Sequence, residues 1–92
     1  MVSLTSTARV SDDVVFRELE GEAVLLNMQS GTYFGLDVVG TRIWQLIEQY
    51  GALATVLEEI VREFDVDADV ARRDLVQLVE QLAARGLVEI DP

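Results

Sequence analysis

The side chains this sequence lacks bound its chemistry first. It carries 17 acidic residues and seven arginines, with no histidine, cysteine or lysine. Histidine is the commonest general base and metal ligand, and nucleophiles are activated by an adjacent base. The chain therefore reads as non-catalytic, with no cofactor and no metal. Its carboxylates form no marked pair: Glu58-Glu59 and Asp65/Asp67/Asp69 sit where solvated helix faces and caps use acids. Asp65-x-Asp67-x-Asp69 matches the start of a calcium loop. Such a loop needs glycine at its sixth place and glutamate at its twelfth, and Val70 and Val76 stand there. Gly31, Gly35 and Gly40 lack the lysine of a phosphate loop. What remains is binding surface. Tyr33 and Phe34 are neighbours in a strand signal and so point to opposite faces, Phe34 inward with Leu36 and Tyr33 outward. Trp44 has the size and apolarity of a core residue.

Charge narrows the partners. The net charge is −10, the wrong sign for displacing counterions from nucleic acid or for approaching an anionic membrane. No apolar run approaches the roughly 20 residues of a membrane span. The opening MVSLTSTARV lacks the basic and apolar regions of a signal peptide. The absence of cysteine fits a reducing compartment, so a cytoplasmic location is expected. Ninety-two residues, half of them apolar, suffice for one small domain with one core. Residues 1–9 are small and polar and are expected to fray, leaving a single domain over 10–92.

The elements that must position these residues follow in order. A strand signal starts at Val10 and strengthens through Val14, Val15 and Phe16. Glu20-Gly21 turns the chain into Ala23-Val24-Leu25-Leu26, and Gln29-Ser30-Gly31 turns it again into Thr32-Tyr33-Phe34. Two short connections imply an antiparallel meander whose third strand is an edge. At Asp37, an N-cap, the apolar period changes to that of a helix through Val39, Ile43, Leu46, Ile47 and Tyr50, ending at Gly51. A second helix spans Leu53–Phe64. A third starts at the cap Asp67 and runs to about Arg85, before Gly86. Leu87–Ile90 alternates as a short strand. The fold class is α+β, a three-stranded antiparallel sheet followed by three helices.

On the third helix, Ala71, Leu75, Leu78 and Leu82 point in one direction, the core. Val76, Val79 and Ala83 widen the apolar arc on one flank, and Asp74, Gln77 and Gln81 occupy the other. An apolar flank beside a sheet edge makes a groove, into which an extended peptide fits as an added strand.

Three segments are similar to the signature of PqqD-like proteins: Val24-Leu25-Leu26-Asn27, Gly31 through Gly40, and Ile43-Trp44-Gln45-Leu46. Val56–Phe64 and Asp74-Leu75 through Gly86-Leu87-Val88 agree with it, so the resemblance covers about Val10 to Ile90. Asp37 stands where the family often has asparagine, which keeps the capping role. The resemblance implies a winged-helix-like RiPP recognition element, a domain that binds the leader peptide of a ribosomally made precursor. In that family the leader adds antiparallel to the third strand and lies against the third helix. Among stand-alone members the chain looks most like the leader-binding protein of lasso peptide clusters, which presents the precursor to a cysteine protease ahead of a macrolactam cyclase. Carried onto this sequence, the peptide edge is Tyr33, Phe34, Gly35 and Leu36. The helix wall is Leu75, Val76 and Val79, with Arg72 and Arg73 as polar neighbours. The choice of the Val76 flank over the Asp74 flank comes from the apolar arc. Two alternatives stay open: a peptide chaperone for a radical-enzyme quinone pathway, and a winged-helix regulator.

Overall fold

The computed structural model describes residues 2–91. Met1 and Pro92, at the ends of the expected N-terminal stretch and domain, lie outside them. The sheet is built from β2 (Val14–Leu19), β3 (Glu22–Asn27) and β4 (Thr32–Leu36), in that order and antiparallel throughout. Helices α1 (Val38–Tyr50), α2 (Leu53–Phe64) and α3 (Ala68–Ala84) follow. The expected α+β class, with its three-stranded sheet and three helices, is what the chain forms. A second, two-stranded sheet pairs β1 (Thr7–Val10) with β5 (Val88–Asp91).

That second sheet bears on two expectations. The strand signal from Val10 to Phe16 is broken at Ser11-Asp12-Asp13, so Val10 and Val14 belong to different strands in different sheets. Residues 2–9 are also built into the fold. Thr7, Ala8 and Arg9 pair with Asp91, Ile90 and Glu89, and Val2, Ser6 and Ala8 are buried. The Ala8 N–H donates to the Gly51 carbonyl, and the Leu53 N–H donates to that of Ser6. The cause is long-range: a four-residue strand whose partner lies some 80 positions away leaves no local hydrophobic period to read.

Each helix starts and stops for a local reason. Asp37 accepts from the Gly40 N–H at 2.7 Å, and Asp67 accepts from Asp69 and Val70 N–H at 2.9 and 3.1 Å. The acids of the calcium-like triplet are thereby accounted for: Asp65 closes α2 in a left-handed conformation, Asp67 caps α3, and Asp69 lies in its first turn. Gly86 ends α3 at φ 69°, and a Cβ there would meet Asn27 Nδ2 at 3.0 Å.

The core lies between the sheet's inner face and the helices. Ala23 and Leu25 of β3, Leu36 of β4, Trp44, Leu53, Val56, Leu75 and Leu82 are buried. Trp44 is fully enclosed, as its type suggested. Among the described residues no helix covers the outer face of the sheet. Leu19, Val24 and Tyr33 are exposed there, with Val15 and Leu26 in the row that ends at Tyr33. No helix among the described residues is long and apolar enough to cross a membrane.

Candidate binding groove

β4 pairs with β3 on one side only, so its other edge has unpaired backbone groups. Along that edge runs a groove of about 550 Å³. Phe34, Gly35 and Leu36 form its strand side, Val70, Ala71, Asp74, Leu78 and Gln81 of α3 form its helix side, and Ile43, Ile60 and Phe64 form its floor. At the end near the start of α1, Val39, Val66 and Val70 are apolar yet 37%, 40% and 43% exposed. The three valines give that end of the groove an apolar surface.

The opposite end is polar. The Arg85 guanidinium carbon sits 4.9 Å from the centroid of the Phe34 ring, within cation–π range. Asn27 fixes this end. Its Nδ2 donates to the carbonyl oxygens of Arg85 and Gly86 at 3.0 and 3.4 Å, and its Oδ1 accepts from Gln29 and Ser30 N–H at 2.9 and 3.3 Å. A nearly buried amide thus ties the β3–β4 turn to the end of α3 and sets the distance between strand and helix.

The floor is braced from outside. Arg42 of α1 forks onto Glu63 of α2 through Nε and Nη2 at 2.8 and 3.0 Å. The hydrogen bond from Arg42 is the main cause holding the Glu63 carboxyl below its ordinary value near 4.5, with Arg42 charge assisting and partial burial opposing.

The expected site residues divide. Tyr33, Phe34, Gly35 and Leu36 lie on the free edge strand, with Phe34 turned toward the core and Tyr33 67% exposed on the outer face. The helix residues do not face that edge. Leu75 and Val79 are buried in the core. Arg72, Arg73 and Val76 line a separate depression on the far flank, shared with Ser3 and Leu4. The groove runs along the Asp74 flank that the apolar arc argued against. Two physical facts explain the difference. The helix is rotated so that Val79, not Leu78, is the fully buried member of its stripe, which leaves Leu78 half-buried at the groove. The surplus valine flank meets the N-terminal segment, where Leu4 packs against the core. The groove residues missed on α3, Val70, Asp74, Leu78 and Gln81, recur at helical spacing. Val70 carried the readable signal, an apolar residue outside the core stripe.

The fold has counterparts among known proteins. Residues 22–88 match the family model described as Coenzyme PQQ synthesis protein D (PqqD). No curated protein matches the chain. Among solved structures, TbiB1 in complex with the TbiA(beta) leader peptide is similar at 42% identity and a TM-score of 0.82, over 88% of this chain and 94% of that one. A lasso peptide synthetase B1 complexed with the leader peptide is similar at 25% identity and a TM-score of 0.79, over 90% of this chain and 98% of that one. By the match over 22–88, which takes in the whole groove apart from its N-terminal neighbours, the chain belongs to the PqqD family.

Proposed function

We propose that this protein is a non-catalytic adaptor that binds the leader peptide of a ribosomally synthesised precursor, a lasso peptide precursor in the first instance. The carrying observation is the free edge of β4 beside an apolar groove. An extended segment adds to β4 as an antiparallel strand. Its backbone takes up the unpaired edge groups, and alternate side chains enter the groove against α3. The two solved relatives, both in complex with a leader peptide, support this reading.

The residues contacting the leader are then Phe34, Gly35 and Leu36 on the strand and Val70, Asp74, Leu78 and Gln81 on the helix. Tyr33 lies on the outer face next to the guest strand. Arg72, Arg73 and Val76 stand away from it, and Leu75 and Val79 support the wall from behind. Bound this way, the leader leaves the apolar outer sheet face open. That face suits docking of the processing enzyme, a cysteine protease acting ahead of a macrolactam cyclase.

Fluorescence anisotropy with the labelled leader encoded by the neighbouring precursor gene tests the function. Saturable binding that persists at high salt is expected, because the groove is mainly apolar. Absence of binding at tens of micromolar protein, roughly −6 kcal/mol of affinity, contradicts it. The family model's own description favours a second reading, a peptide chaperone of a quinone-cofactor pathway. It uses the same groove and is distinguished by which precursor binds.

A further inference from the structure

Five of the seven arginines pair with a carboxylate of the chain: Arg9 with Glu89, Arg42 with Glu63, Arg62 with Glu59, Arg72 with Asp69 and Arg73 with Asp74. Among the described residues Arg17 and Arg85 have no such partner. In a chain of 17 acids an unpaired cation is notable, because carboxylates are near almost everywhere. Arg17 lies on the outer face of β2, opposite Val24. Arg85 lies at the mouth of the groove, over the ring of Phe34, with its backbone held by Asn27.

We propose that Arg85 is a specificity-determining residue that recognises a carboxylate side chain of the guest peptide. The inference rests on the strand-addition reading above and goes beyond it by assigning a chemical class to one guest position. Phe34 holds the guanidinium plane, so less side-chain freedom is lost when a carboxylate pairs with it. Among the described residues, the side chain of Arg85 makes one hydrogen bond, a long one of 3.5 Å to the Gln81 carbonyl, which leaves its fork free. A guest antiparallel to β4 passes Leu36 first and Thr32 last. Its apolar anchor therefore fills the Val39–Val66–Val70 end, and the acidic residue follows toward the C-terminal side. The chain's net charge repels acidic peptides in general. One local cation then accepts an acid at one register and no other, which fixes the guest against slippage along the edge.

Selection of randomised displayed peptides of about 20 residues, an extended length sufficient to cover the groove, on the wild type, Arg85→Gln and Arg85→Glu tests this. The wild-type pool is expected to converge on an apolar anchor followed by one Asp or Glu. The Arg85→Glu pool is expected to keep the anchor and replace that acid by Lys or Arg. Synthesised wild-type winners should bind Arg85→Gln about tenfold more weakly, the scale of one charge-assisted hydrogen bond. Circular dichroism melts establish that both variants are folded. The same pool on all three proteins overturns the role of Arg85 and leaves strand addition standing. A wild-type pool with no anchor contradicts the strand-addition reading itself.

Discussion

At the scale of single residues, the groove depends on a side chain whose importance is not visible in its own type. Asn27 has all its polar capacity engaged on the β3–β4 turn and on the end of α3. Asn27→Ala removes both ends of that tie and leaves part-buried carbonyls and N–H groups without these partners. A loss of about 2 kcal/mol in denaturant unfolding is expected. Binding should weaken further than stability loss accounts for, because the strand-to-helix distance is no longer fixed. Tyr33 is the opposite case. It is two-thirds exposed on the outer face, so Tyr33→Ala should shift stability by no more than about 0.5 kcal/mol.

At the scale of elements, the strand side of the groove was legible in the sequence and its helix side was not. Edge status followed from two short connections in sequence, and Phe34 and Tyr33 took their faces from strand alternation alone. The orientation of α3 was ambiguous. Stepping from Ala71 and Leu75 to Leu78 or to Val79 gives an equally good helical stripe, and both are apolar. In the structure Val79 takes the core position and the Val76 flank meets the N-terminal segment, whose β1–β5 pairing spans the chain and has no local signature. A consequence separates the two flanks. Leu78→Glu places a charge on the groove rim and should weaken leader binding about tenfold or more, since an apolar contact becomes an unpaired charge. Val76→Glu, on the far flank, should change it by less than about twofold, as surface substitutions away from an interface do. Anisotropy titrations on both variants read the difference.

At the scale of the whole molecule, one domain holds a groove open between a sheet edge and a helix, and the restraints lie outside the groove. The Arg42–Glu63 pair joins α1 to α2, with side chains 34% and 27% exposed. Glu63 titrates below its unfolded value, so the pair's contribution is present above the usual carboxylate range and is lost as pH falls through the lowered folded value. Glu63→Gln should therefore be less stable than wild type at neutral pH, by at most about 1 kcal/mol for a partly exposed pair. The two melting curves should converge in acid. Removing residues 2–10 deletes β1, exposes the edge of β5 and uncovers the apolar flank of α3 at Val76, so a marked fall in melting temperature is expected. The central claim is that an extended peptide occupies the β4 edge against the Val70–Gln81 face of α3. The most direct measurement is an amide NMR titration of the labelled protein with the leader peptide encoded by the neighbouring precursor gene. The account predicts large shifts at Thr32–Asp37 and at Val70, Asp74 and Leu78, with new hydrogen-exchange protection along β4. Shifts confined to Arg72, Arg73 and Val76, with β4 amides exchanging as before, would contradict it.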